Sequence, residues 1–470
     1  MRLLGSAIIF LSTLSSFSQT ITQKIEKAYS IFENDGQLKY GFSSLTVLNA
    51  QTAEVLFSRN GNVGLAPAST LKIVTSATAF HLLKPDFVWE TTLGFSGTIK
   101  SDGILNGNLI LTGGGDPTLG SWRYESSKSD VLIKKWVNAV LNSGIKKITG
   151  RIIADDSLFG TQTLPLGWIW QDIGNYYGAG SNSLTWQENQ VELTFKPGLK
   201  VGDITTFQKL TSELAGLKIV NEVKTGSPGS GDNVYAFSSP YSDIIYLRGT
   251  YGIDLKKQIA ISVPDPALEV GRLLQSALEK AGIIFSEAAI SFRQMEIEKQ
   301  LFQAPDKIIA THTSPDLSRV IYWFNQKSIN LYGEHLIKTM AWKNGKKISP
   351  ENGTELVRKF WNTKLGIDME AINIIDGSGL SPGNRITTLS MVKILQSAKQ
   401  ETWFKDYLDS FPVYNNMKMK SGSINGVLAY AGYQTSSSGI PMVFAFTINN
   451  YSGSTSSVRQ KMYNVLQQLK

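Results

Sequence analysis

The sequence predicts an α+β protein in which strands from both ends of the chain share one antiparallel sheet flanked by helices, with a large, mainly β insertion between them. Three observations predict it. Strand patterns lie at both ends, each next to an amphipathic helix. From about residue 90 the chain turns to short strands and Gly-rich turns. At 470 residues it exceeds one ordinary domain and suffices for two or three.

Taken in order, Thr20 to Asn34 predicts a helix with Ile21, Ile25, Ala28, Ile31 and Phe32 on one face. Tyr40 to Leu48 and Glu54 to Ser58 read as a strand pair around Asn49-Ala50-Gln51-Thr52. Pro67 and Ala68 lead into an apolar helix from Ser69 to about Leu83. The insertion is expected over 91–300, with a loop at 225–233 (Thr-Gly-Ser-Pro-Gly-Ser-Gly-Asp-Asn) and a closing helix from Pro266 to Ala281. Helices resume with Asp316 to Gln326, Leu331 to Trp342 and Gly353 to Thr363. Met417 to Ser423, Leu428 to Gln434 and Pro441 to Asn449 read as an antiparallel meander, closed by a helix from Ser454 to Leu469. The expected division is a signal peptide at 1–18, catalytic segments at 19–90 and 301–470, and the insertion between them.

Residues 1–18 carry Arg2, an apolar run from Leu3 to Leu14, and Ser16 and Ser18 as small residues before a cut at Gln19, the pattern of an export signal. No later stretch is apolar over the roughly twenty residues a spanning helix needs. There is no cysteine, which excludes disulfides, a lipidated cysteine and thiolate chemistry. The net charge of +8 contains no dense basic run. It suits an anionic cell envelope better than nucleic acid, which is not expected as a partner. The expected location is the periplasm.

Three short motifs carry chemistry: Ser69-Thr70-Leu71-Lys72, Ser328-Ile329-Asn330 and Lys420-Ser421-Gly422. Together they supply a nucleophile, a base, a proton relay and a carboxylate anchor without histidine. Ser and Lys three apart on a helix have Cβ atoms about 5–6 Å apart, so the amine reaches the hydroxyl. Lys72 can act as a base only when neutral. Lowering its pKa from about 10.4 to 7–8 takes roughly 3–5 kcal/mol, within reach of burial and a second cation such as Lys420.

Each motif has decoys. Ser143-Gly144-Ile145-Lys146 and Ser390-Met391-Val392-Lys393 repeat the first spacing, but only Ser69 opens a strongly apolar helix after a Pro-containing turn. Lys224-Thr225-Gly226 falls in the loop-like segment and precedes Ser328, the wrong order. Ser423-Ile424-Asn425 also fits Ser-x-Asn, and Ser328 by itself could be a helix cap. His81, His312 and His335 are scattered, and no zinc motif is present. Gly113-Gly114-Gly115 reads as a turn, and Asp155-Asp156 as a solvated one. No metal or other cofactor is expected.

The chain resembles the D-alanyl-D-alanine carboxypeptidase/endopeptidases of the low-molecular-mass class C penicillin-binding proteins, penicillin-binding protein 4 type. The resemblance rests on Ala66-Pro67-Ala68-Ser69-Thr70-Leu71-Lys72, Gly113-Gly114-Gly115-Asp116-Pro117-Thr118-Leu119 and Gly167-Trp168-Ile169-Trp170 with Tyr177-Gly178-Ala179. It continues through Asp376-Gly377-Ser378-Gly379-Leu380-Ser381 and Lys420-Ser421-Gly422-Ser423. It spans nearly the whole mature chain. Ile329 stands where the family usually has Asp, and Ser421 where it usually has Thr.

The resemblance implies the transpeptidase fold shared with serine β-lactamases. It implies that Ser69 attacks the penultimate D-Ala carbonyl of a peptidoglycan stem peptide, with Lys72 as base and Ser328 relaying a proton to the leaving amine. Asn330 would hold Lys72 or the substrate amide. Lys420 and Ser421, next to Gly422, would bind the terminal carboxylate, and the N–H groups of Ser69 and Ser423 would hold the oxyanion. The same route cuts cross-links, and β-lactams should acylate Ser69. Two rivals are a β-lactamase, for which no Glu-x-x-Leu-Asn lies between Ser328 and Lys420, and a non-catalytic wall-sensing protein, which could dispense with the nucleophile and base.

Overall fold

Thr20 opens the first helix: its hydroxyl accepts the Gln23 N–H and the Gln23 side chain accepts the Thr20 N–H. Helix α1 (Ile21–Glu33) buries Ile25, Tyr29 and Phe32. The computed structural model describes residues 20–211, 214 and 216–470, so the expected export segment 1–18 lies outside the described residues. Strands β1 (Phe42–Asn49) and β2 (Val55–Arg59) form an antiparallel pair. The helix expected from Ser69 starts later. Ala68–Leu71 is a 3-10 turn with Ala68 at φ 45°, and only Lys72–Leu83 is the α-helix α2. That helix is apolar on every side and buries all but two of its twelve residues.

The insertion contains β3 (Glu90–Ile99), β4 (Ile104–Thr112), α3 (Ser129–Asn142), β5 (Ile152–Asp155), β6 (Gln190–Lys196), β7 (Asp232–Phe237), β8 (Ile244–Gly252), α4 (Pro266–Lys280) and β9 (Lys307–Thr313). Strands β3 and β9 pair antiparallel, with Glu90 opposite Thr313, so the chain leaves and returns through neighbouring strands. Helices α3 and α4 pack Leu132, Trp136, Val140, Val270 and Leu274 on this sheet. A second core, around Leu193, Ile245, Leu247 and Ile261, holds β6, β7 and β8. Two expectations fail here. Lys224–Gly226 is a strand paired with β8, not a loop, because Thr225 is buried. Asp155 and Asp156 are each only 5% exposed, so they are not a solvated turn.

The second half continues with α5 (Leu317–Gln326), α6 (Asn330–Lys343), α7 (Pro350–Leu365), α8 (Thr388–Ala398), β10 (Met417–Ile424), β11 (Val427–Thr435), β12 (Pro441–Asn449) and α9 (Thr455–Leu466). The last three strands join β1 and β2 in one antiparallel sheet, ordered β10-β11-β12-β1-β2 with a short strand at Val413–Tyr414 outside β10. Alternation along β12 divides its faces. Phe444, Phe446 and Ile448 meet α1 and α9, while Val443 and Ala445 meet the helical layer that contains α2, α5 and α6. The fold is therefore the predicted α+β sheet with helices on both faces, interrupted by the insertion. Among the described residues no helix is long and apolar enough to cross a membrane.

Candidate active site

Two glycines let distant backbones close on the turn that carries Ser69. A Cβ on Gly422 of β10 would lie 2.7 Å from both Pro67 O and Ser69 N, and one on Gly379 would collide with Ala68 O. Gly379 also holds φ +85°, a region that L side chains rarely adopt. Gly379→Ala is therefore expected to lower the urea midpoint by the equivalent of roughly 3 kcal/mol.

Lys72 lies at the start of α2, fully buried. Its Nζ donates to Ser69 Oγ at 3.0 Å, Asn330 Oδ1 at 2.6 Å and the Ser378 carbonyl at 2.7 Å. All three acceptors are neutral oxygens, and they match the three protons of an ammonium group. Burial pulls the Lys72 pKa down to about 7, against the opposing pull of the Asp376 and Glu334 carboxylates. Burial, one of the two causes expected from the sequence, thus does this alone; the second cation does not contribute. The repulsion falls on Lys420, which burial first and Lys72 second hold well below the usual lysine range.

Ser328 occupies the break between α5 and α6 at φ 57°. It does not cap α6: Ile329 is the cap residue and makes no side-chain cap bond. The Ser328 hydroxyl instead accepts from Lys420 Nζ at 2.9 Å, and the same amine donates to the Ser421 carbonyl at 2.8 Å. Asn330 begins α6 and uses both ends of its amide, accepting from Lys72 and donating Nδ2 to the Tyr177 carbonyl at 2.8 Å. Ser69, Ser328, Asn330 and Ser423 line a cleft of about 390 Å³ together with Tyr177 and Asp172. Lys72 and Lys420 lie beneath its floor, Gly422 is buried against the Ser69 turn, and Ser421 is half-buried beside it.

The motifs alone missed how the Lys72 amine is held. The Ser378 carbonyl reaches Lys72 because Asp376 ties its loop: one carboxylate oxygen accepts Gly379 N at 2.7 Å and Asn384 Nδ2 at 2.9 Å. The other accepts Ser381 N at 2.6 Å and Trp168 Nε1 at 2.9 Å. Glu334 accepts Gly377 N at 3.2 Å, and burial followed by Asp376 raises its carboxyl to about 8. Its place four residues after Asn330, on the same helix face, was the available signal.

The decoys lie elsewhere. Ser390 sits in the first turn of α8, bonded to Thr387, and Ser143 bonds the Ala139 carbonyl. The histidines occupy three separate places. His81 lies 3.7 Å from Glu401, and His335 lies between the Gly115 carbonyl and Thr185. His312 does meet Asp116 and Ser127, but all three are buried and none lines the cleft. No group of three or more metal-ligating side chains occurs among the described residues.

A sheet-and-helix fold with a serine, two buried lysines and an asparagine at one cleft defines the class of serine penicillin-binding proteins. The D-Ala-D-Ala carboxypeptidase 3 (S13) family profile matches residues 25–416, and the chain belongs to that family. It is 26% identical over 462 residues to a D-alanyl-D-alanine carboxypeptidase of Actinomadura sp. (strain R39), covering 92% of this chain and 82% of that protein. It is 25% identical over 430 residues to the D-alanyl-D-alanine carboxypeptidase DacB of Haemophilus influenzae, covering 86% and 84%. The crystal structure of penicillin-binding protein 4 from H. influenzae superposes with a TM-score of 0.78 at 23% identity, covering 94% of this chain and 98% of that one.

Proposed function

We propose that Ser69 is the nucleophile of a D-Ala-D-Ala carboxypeptidase that acts on peptidoglycan stem peptides, and on their cross-links as an endopeptidase. The observation that carries this reading is the buried Lys72 amine, 3.0 Å from Ser69 Oγ and drawn to about 7. Neutral Lys72 takes the Ser69 proton as Oγ bonds to the penultimate D-Ala carbonyl carbon. The oxyanion is held by the N–H groups of Ser69 and Ser423. As the C–N bond breaks, Ser328, bonded to Lys420, passes its proton to the departing D-Ala amine and receives the proton that Lys72 took from Ser69, which leaves Lys72 neutral and Ser328 a hydroxyl again. Water then attacks the ester, Lys72 takes its proton and hands it to Ser69 Oγ as the C–O bond breaks, and the shortened peptide leaves as the acid. Ser421, Gly422 and Ser423 form the strand edge that receives the terminal carboxylate, with Lys420 behind it. Asn330 keeps the Lys72 amine aimed at Ser69. The route uses no metal or cofactor.

The H. influenzae penicillin-binding protein 4, similar in fold, has been solved complexed with a β-lactam. The same chemistry makes a β-lactam a covalent inhibitor here. Export through residues 1–18 to the periplasm suits a peptidoglycan substrate. The test is D-Ala release from a stem pentapeptide, alongside intact mass after penicillin treatment. Expected are free D-Ala and a long-lived adduct of one penicillin per chain. Rapid penicillin turnover with no lasting adduct would identify a β-lactamase instead, and neither activity would leave a wall-binding protein.

A further inference from the structure

The aromatic lining of the cleft continues past its rim. Tyr235 lines the cleft and belongs to β7, where alternate residues face opposite sides. Val234 and Ala236 are buried in the insertion's second core, so Tyr235 and Phe237 face outward. Strand β8 extends the same face. Arg248 stands opposite Tyr235 and Tyr246 opposite Phe237, while Ile245 and Leu247 are buried behind them. The Arg248 guanidinium lies 5.5 Å from the Phe237 ring and 5.4 Å from the Tyr246 ring. Trp170 stacks on Phe237 at 6.2 Å between ring centres. Trp170 is nevertheless 59% exposed and Tyr246 38% exposed, so this is not core packing.

The platform is tied to the catalytic groups by one short segment. Gly174 packs so closely on Ala236 of β7 that a Cβ would collide with its carbonyl, and Asn175 Oδ1 accepts the Ala236 N–H at 3.1 Å. Two residues on, the Tyr177 carbonyl accepts the Asn330 amide. The spacing of same-face residues along a strand is about 7 Å and that between strands about 4.8 Å. The platform therefore extends roughly 7–10 Å outward from cleft-lining Tyr235. A stem peptide leading away from Ser69 advances about 3.5 Å per residue, so three or four residues cross the cleft and reach the edge of the platform. Beyond those residues, peptidoglycan carries an N-acylated amino sugar. Its rings present C–H faces suited to exposed aromatic faces, and its acyl carbonyl suits a guanidinium donor.

We propose that Trp170, Phe237, Tyr246 and Arg248 form a subsite for the N-acylated amino sugar that carries the stem peptide. The inference rests on the carboxypeptidase reading of the cleft and adds a glycan contact to it. The test compares kcat/KM for D-Ala release from a soluble disaccharide-pentapeptide and from the same pentapeptide without sugar. Wild type should favour the sugar-bearing substrate by about tenfold, the scale of one well-buried aromatic contact. Trp170→Ala and Tyr246→Ala should each erase most of that preference while release from the free peptide holds. Equal kcat/KM for both substrates in wild type, or a preference that survives both substitutions, overturns the proposal. A concentration-dependent dimer in sedimentation, dissociated by both substitutions with the preference intact, assigns the face to a second copy and also overturns it. No release from either substrate by wild type overturns the reading of the cleft itself, and this subsite falls with it.

Discussion

Ser69→Ala protein treated with penicillin keeps its unmodified mass, while the wild type gains one adduct. Turnover of the stem peptide falls on the order of 10⁶-fold, the scale seen when a serine nucleophile is deleted. The substitution is small, and the Lys72 amine keeps the Asn330 and Ser378 acceptors. The fold should therefore survive, and thermal unfolding close to that of wild type is the control. An adduct in the variant would place the nucleophile elsewhere. Ser328, which lines the same cleft, would be the first residue to test next.

Lys72→Met is expected to lower kcat/KM by about 10³–10⁴-fold, the upper range for a positioned general base. Met fills much of the same volume but leaves Asn330 Oδ1 and the Ser378 carbonyl without a donor, so some stability is lost too. The pH profile separates the two effects. Lys72 is drawn to about 7, so in wild type the amine is protonated below that pH and cannot take the Ser69 proton. Wild-type kcat/KM should rise with pH through about 7 and level off above it. The variant should lose that rise at every pH where it stays folded. A residual limb of the same shape and midpoint in Lys72→Met would assign the titration to another group.

The end strands were readable because β11 and β12 are short apolar runs, buried on both faces, and the three strands are joined by turns at Gly426 and Gly439. Helix α3 was not read: exposed Val131 and Leu141 and the flanking Ile133 and Val137 blur its buried stripe of Leu132, Trp136 and Val140. Helix α8 was noticed only as a Ser-x-x-Lys decoy, although Thr387 caps it through Ser390 N–H. For the cleft, residue types and order were legible from three motifs. The left-handed backbone at Ser328 and the Ser378 carbonyl on Lys72 were not, because both arise from segments that meet only in the fold. Asp376 carried no signal of its role for the same reason: its four N–H partners come from its own loop, from Asn384 and from Trp168 of the insertion.

Pairing of β1 with β12 has a consequence for how the molecule is made. Residues 42–49 pair on one side with the nearby β2, but on the other only with residues 442–449, far away along the chain. Contacts so remote in sequence form slowly, and until they form the chain stays open at its centre. Removing the last thirty residues should abolish soluble expression rather than merely weaken it, because β12 sits between β11 and β1 and its loss would split the sheet.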